Sequence, residues 1–146
     1  MKQKHVADIR AFNRFYTPML GLLNRHILNS RYSLPEVRVL HEIYHHDSIT
    51  ASDIMTTLNI DKGYLSRVIQ QFVSKKLVSK KVSPVDGRVV HLSVTPAGRS
   101  EFEILNEASN KQIKAILDPL SENDCDMLVK NMAEIISILS KTSQNN

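Results

Sequence analysis

A chain of 146 residues with a formal charge of +4 and a pI near 9.3 has the length of one domain, for which about 100–200 residues is usual, or of two small lobes sharing helices. With 42% hydrophobic and 23% charged residues the composition is that of a folded globular protein, not a disordered one, and no apolar run nears the roughly 18 residues of a membrane span. The single cysteine, Cys125, excludes an intrachain disulfide and a cysteine-based zinc finger.

The N-terminus, MKQKHVADIRAF, is polar and amphipathic without a signal-peptide core, so a cytoplasmic protein is expected. Apolar positions Val6, Ile9, Phe12, Tyr16, Met19, Leu20, Leu23 and Ile27 carry helical spacing through residues 4–29. Pro18 removes a backbone donor within that run and predicts a kink or a break into two pieces. After the loop NSRYS, Ser33 reads as an N-cap, with Pro35 in the first turn and Glu36 completing a capping box. The helix it opens is expected over 34–46, with Val37, Leu40, Ile43 and Tyr44 inward.

Ala51, Ile54, Met55 and Leu58 fit a short helix starting near Thr50 or Ala51, and NID ends it, because Asn and Asp favour turns and caps. Asp61 then caps a helix with Leu65, Val68, Ile69 and Phe72 on its apolar face. Two helices joined by so short a turn form a helix-turn-helix pattern, which any αα-hairpin shares. The segment 77–95 narrows the choice. In 89–95, Val90, Leu92 and Val94 alternate with Val89, His91, Ser93 and Thr95, as in a strand with one covered face. The alternation in 77–82 is weaker. Pro84 and Gly87 punctuate a turn between them, Gly87 able to supply a positive φ. Lys75, Lys76, Lys80, Lys81 and Arg88 fall within or beside this stretch against one acid, Asp86. A helix-turn-helix followed by a basic hairpin is a winged helix.

Thr95 and Pro96 open a long helix to about residue 117, with Phe102, Leu105, Ala108 or Ser109, Ile113 and Ile116 inward. DPLS breaks it. Ser121, with Asp124 three residues on, opens a last helix whose stripe is Cys125, Leu128, Val129, Met132, Ile135, Ile136 and Leu139. The predicted fold class is mainly α with one small β-hairpin.

In this order, the capped segment SLPEVRVL, the helix pair ITASDIMTTLNIDKGYLSRVIQQF, the hairpin with DGR at its tip and LSVTPAGR leading into a long helix resemble the MarR family of bacterial winged helix-turn-helix transcriptional regulators. The resemblance covers nearly the whole chain. It departs from the family after the recognition helix, where a glycine is usual and Lys76 stands in SKKLV; a side chain in a left-handed C-cap costs roughly 1 kcal/mol. It departs again in lacking the N-terminal cysteine of oxidant-sensing members. The resemblance implies a single domain over 1–146, with dimerisation helices in 4–32 and 96–141 and a DNA-binding lobe in 33–95. It implies a homodimer acting on double-stranded DNA, with no enzymatic activity and no cofactor. Three apolar-striped helices with few partners of their own point the same way. A two-fold dimer presents two recognition helices to successive major grooves, so the operator is expected to be a near-palindrome, and the outcome repression.

The outward residues of the recognition helix are Lys62, Gly63, Tyr64, Ser66, Arg67, Gln70 and Gln71. Arg67 is the expected base reader, because arginine forks onto guanine O6 and N7 and the family often carries arginine here. As a rival reading it is a solvated charge or a phosphate contact. Ser66 and Gln70 suit bases or phosphates, and Gly63 permits close approach of the backbone or serves a crowded helix start. Arg88, at the hairpin tip, suits a narrow minor groove. Asp86 is repelled by phosphates, and the family's corresponding aspartate implies that it holds the arginine or the turn. Lys75, Lys80 and Lys81 suit phosphates, which position without specifying.

The family also responds to small, often aromatic anionic ligands, which implies an effector crevice here from Phe15, Tyr16, Met19, His41, Tyr44 and the start of the long helix, working by population shift. Three alternatives stand beside this reading. No phosphate loop, nucleophile elbow or Cys-His pair supports an enzyme. His41 and His45, one helical turn apart, suit a metal-responsive regulator, but no ligand set completes the site, so no metal is assigned and histidines at a helix C-terminus are the simpler account. A winged-helix protein-interaction module would not need Arg67, Arg88 and the lysines. Cys125, in a first turn, suits a redox switch, yet it also lies on an apolar stripe, which favours packing.

Overall fold

The computed structural model describes residues 2–22 and 24–142. The chain divides into two compact units, Met1–Ser109 and Asn110–Asn146. Its elements are α1 (Lys2–Met19), α2 (Leu34–His45), β1 (Ile49–Thr50), α3 (Ala51–Leu58), α4 (Lys62–Ser74), β2 (Val78–Val82), β3 (Val90–Val94), α5 (Pro96–Leu117) and α6 (Glu122–Ser140).

Helix starts are set by local caps. Ser33 and Glu36 form the expected capping box on α2. Thr50 and Asp53 form another on α3, Asp61 accepts from Tyr64 N on α4, and Ser121 accepts from Asp124 N on α6. The ends of α1 and α4 share one device, in which a left-handed residue lets the chain turn back and satisfy the last carbonyls. At the end of α1, Gly21 has φ 65°; its N–H donates to Pro18 O and that of Leu22 to Thr17 O. At the end of α4 the left-handed residue is Lys76, φ 58°, with Lys76 N donating to Val73 O and Leu77 N to Phe72 O. The helix therefore keeps the family's ending and carries the strain of a side chain there.

Several sequence expectations are corrected. The helical spacing read through residue 29 does not continue as helix beyond Met19. Pro18 withholds a donor, Gly21 turns the chain out, and 20–22 and 24–31 run in turns and bends. Leu23 lies outside the described residues. In α2, Val39 is fully buried, while Val37 and Tyr44 pack at the edge of the core; α2 is covered from more than one side. The hairpin gains a third strand, β1, giving the antiparallel order β1-β3-β2 with Ile49 opposite Leu92 and Val78 opposite Val94. Gly87 needs no positive φ, Gly21 being the one glycine among the described residues with one.

One core unites Tyr32, Leu40, Ile43, Ile54, Leu65, Phe72, Leu77, Leu92, Phe102 and Leu105 with their neighbours. It seats α4 and the sheet on α2, α3 and the first turns of α5. In contrast α1 and α6 bury no residue. Phe12, Phe15 and Ile9 on α1 are exposed, as are Ile113 on α5 and Val129, Ile136 and Leu139 on α6. Ile113 thus departs from the inward stripe expected of it. Among the described residues no helix is long and apolar enough to cross a membrane.

Candidate nucleic-acid interface

Burial of Leu65, Val68, Ile69 and Phe72 fixes the rotation of α4 about its axis, and side chains three or four apart share a face. The opposite face therefore carries Lys62, Gly63, Ser66, Arg67 and Gln70, all exposed. The Asp61 cap accepts from Tyr64 N at 2.9 Å. A Cβ on Gly63 would lie 3.2 Å from that carboxylate, so the crowded helix start is itself a reason for glycine. Half-buried Tyr64 offers its ring to Arg67, whose guanidinium carbon lies 5.9 Å from the centroid, a cation–π range that steadies a long side chain.

Gln71 and Lys75 stand apart from this set. With its amide oriented by its surroundings, Gln71 donates to Glu36 Oε1 at 3.2 Å and accepts from Lys75 Nζ at 2.9 Å, while Lys75 Nζ lies 5.4 Å from the centroid of Tyr32. Both belong to the C-terminal end of α4 and face α2 and the loop before it, not the outward row.

The wing is built by register. Lys80 lies opposite Leu92 and Lys81 opposite His91, and paired residues share a face of the sheet. Lys80 thus flanks α4. With Lys62 and Ser66 it lines a cavity of about 400 Å³ floored by Leu65, Ile69 and Leu92. Lys81 takes the other face. At the wing base His91 Nδ1 donates to Ser48 O at 2.8 Å, tying β3 to the turn before β1.

The wing tip is closed by Asp86. Its Oδ1 accepts from Arg88 N at 3.0 Å, its carbonyl accepts from Val89 N at 3.0 Å, and Ser83 N donates to Val89 O at 2.8 Å. Arg88 Nε lies 3.5 Å from the same carboxylate oxygen, and the Arg88 side chain is 95% exposed. An exposed ion pair of this kind adds little stability. Its effect is directional, since the turn is hydrogen-bonded and the guanidinium projects from it.

A second cluster sits between α2 and α5. The rings of Tyr44, His45 and His41 lie 4.2, 5.5 and 5.8 Å from that of Phe102. Arg99 caps Tyr44 at 4.9 Å, and His41 lies 4.1 Å from His45. Burial and then the neighbouring His45 hold the His41 pKa below its ordinary value. The sequence reading placed His41 and Tyr44 here but named neither Phe102 nor Arg99 as their partners, whose i, i+3 spacing on α5 was the available signal. Of the α1 residues assigned to the same crevice, Tyr16 stacks on Phe12 at 5.4 Å, and Phe15 and Met19 are exposed. His45 Nδ1 and His46 Nδ1 are bound to the carbonyls of His41 and Glu42. Among the described residues no three His, Cys, Asp or Glu side chains gather as a metal site. Cys125 is partly exposed on α6.

The MarR family model matches residues 32–89, from Tyr32 to the wing tip just before β3. The HTH-type transcriptional regulator YdgJ of Bacillus subtilis is 28% identical over 103 residues, 70% of this chain and 63% of YdgJ; the match thus spans less than two thirds of that relative. Among solved structures, FabT of Streptococcus pneumoniae in complex with DNA superposes with a TM-score of 0.78 at 19% identity, covering 94% of this chain and 99% of FabT. BpsR of Bordetella bronchiseptica, whose DNA binding is regulated by 6-hydroxynicotinic acid, gives 0.67 at 19% identity over 86% of this chain and 96% of BpsR. At such identities the structures establish the fold. Residues 32–89 match the MarR family model, and over most of its length the chain has the winged helix-turn-helix fold of these solved structures.

Proposed function

We propose that this protein binds a near-palindromic operator as a homodimer, in the cytoplasm, and represses transcription until a small aromatic or anionic effector releases it. The observation that carries the reading is the pairing of two exposed reading arms on one core. One is the outward row Lys62, Ser66, Arg67 and Gln70 of α4; the other is the hydrogen-bonded wing tip that projects Arg88. In this reading the row enters the major groove, where Arg67 forks onto guanine, and Arg88 enters the adjoining minor groove. Lys80 and Lys81 take phosphates.

Dimerisation through 4–32 and 96–141, with a reading lobe over 33–95, is supported by the apolar side chains left exposed on α1, α5 and α6, since a monomer rarely leaves so much apolar surface unpaired. Effector release is supported by the ring cluster of His41, Tyr44 and Phe102 beneath Arg99, an aromatic wall beside a cation, and by the ligand regulation of BpsR.

Fluorescence anisotropy on the DNA upstream of its own gene tests the reading, with unrelated competitor DNA at two salt concentrations. Specific binding resists the competitor and weakens on Arg67→Ala or Arg88→Ala. Binding equal on all DNA that falls steeply with salt is phosphate attraction alone and counts against a specific site there.

A further inference from the structure

We propose that Tyr32 and Glu101 form a latch that fixes the angle of the recognition helix on α5 and thereby the operator spacing the protein accepts. The inference rests on the DNA-binding reading above.

Tyr32 lies in the loop before α2 and is 1% exposed. Its ring meets Phe72, in the last turn of α4, edge-on at 6.1 Å. Its hydroxyl donates to Glu101 Oε1 on α5 at 2.8 Å. Arg31 completes the group, with Nε 3.2 Å from the Tyr32 hydroxyl and a terminal nitrogen 3.2 Å from the same Glu101 oxygen. A phenol placed this deep needs a partner for its hydroxyl, and a carboxylate makes that bond a strong one.

A second fastening joins the same two helices. Thr95 Oγ1 donates to Lys76 O at 2.7 Å and accepts from Gly98 N at 3.0 Å, and Thr95 N donates to Leu77 O at 3.0 Å. The end of α4 is therefore held to α5 at Thr95 and again, through Tyr32, at Glu101. Six residues separate these points, about 9 Å along a helix. One fastening is a pivot; two that far apart set an angle.

Angle matters because the reading residues sit at the far end of α4. A 13-residue helix is about 20 Å long, so a rotation of about 5° at its C-terminus displaces its N-terminus by about 1.7 Å. That is about half the roughly 3.4 Å step between base pairs. With the latch made, each recognition helix keeps a fixed reach from α5. With it broken, α4 turns about the Thr95 junction and tolerates half-sites at altered spacing. Tyr32 and Glu101 are positioning residues, since neither lies among the exposed reading arms.

The test uses the full chain and an operator duplex selected from random DNA, beside the same duplex with one base pair inserted at its centre. For the unsubstituted protein the insertion weakens binding at least tenfold. Tyr32→Phe and Glu101→Ala each shrink that penalty threefold or more, and the double variant shrinks it no further. The slope of affinity against salt stays unchanged, because no phosphate contact is removed. An unaltered insertion penalty in both variants overturns the latch, even if affinity falls equally on the two duplexes. Should Tyr32→Phe fail to fold, Glu101→Ala decides alone, its side chain being partly exposed. Failure of the unsubstituted protein to select any sequence overturns the DNA-binding reading and the latch with it.

Discussion

Gly98→Ala is predicted to destabilise the protein, although helix propensity alone gives the opposite sign. Gly98 lies in the first turn of α5, and alanine inside a helix is favoured over glycine by about 1 kcal/mol. The structure overrides this preference. A Cβ at Gly98 would sit 1.9 Å from the carbonyl oxygen of Leu77, 2.8 Å from its carbonyl carbon and 3.2 Å from its Cα. These are backbone atoms just beyond the Lys76 turn and cannot rotate away. The carbonyl must retreat by about 1 Å or more, and it is the acceptor for Thr95 N. Loss of that bond and of the Thr95 hydroxyl's bond to Lys76 O costs about 1 kcal/mol each. Forcing apart a packed contact costs about 1–3 kcal/mol more. Less the propensity gain of about 1 kcal/mol, the net loss is about 2–4 kcal/mol, a fall in Tm on the order of 10 °C for a chain of this size. Circular dichroism melts at matched protein concentration, because the Tm of a protein that self-associates depends on it, read the effect. A Tm equal to or above that of the unsubstituted protein would refute the reasoning.

Other substitutions test single statements. Lys76→Gly relieves a side chain at φ 58° and is expected to stabilise by about 0.5–1 kcal/mol, seen as a higher urea midpoint; a lower one contradicts the strain. Asp86→Ala removes a negative charge near DNA, which by electrostatics alone tightens binding. Because Asp86 holds the turn that aims Arg88, the expected result is instead weaker binding, by roughly three- to tenfold, about one hydrogen bond's worth, and tighter binding would disprove the role. His41 carries a pKa below 6.5 through burial and the adjacent His45, so the unfolded chain binds the extra proton. Its contribution to stability is complete above pH 6.5 and is lost as pH falls from there through the folded value. Urea midpoints should drop over that window and His41→Gln should flatten the drop; an unchanged slope in the variant rules the residue out.

The parts of this fold legible in the sequence are those decided within a few residues. Ser33 with Glu36, Asp61 and Ser121 announce helix starts, because a cap needs only the side chain and the N–H two or three positions on. The apolar face of α4 comes from its period, and with it the outward row that includes Arg67. What escaped depends on partners distant in the chain. The two-residue strand β1 exists through its pairing with β3. Gly98 matters because Leu77 lies against it, and Tyr32 because Glu101, 69 positions on, takes its hydroxyl bond. Gln71 and Lys75 point outward on a bare helical wheel, but Glu36 and Tyr32 draw them aside. The signal of Gly21 was local, yet the apolar spacing that continues past Pro18 obscured it.

The most direct test of the account is to select binding sites from a pool of random duplexes and sequence what the protein retains. A homodimer reading with α4 and the wing predicts an enriched inverted repeat whose half-site centres lie about one helical turn, roughly 10 base pairs, apart. Arg67→Ala should relax the preference at one symmetric pair of positions. A pool that stays random through repeated rounds at low salt, or that yields a lone half-site with no symmetry mate, would contradict the central claim.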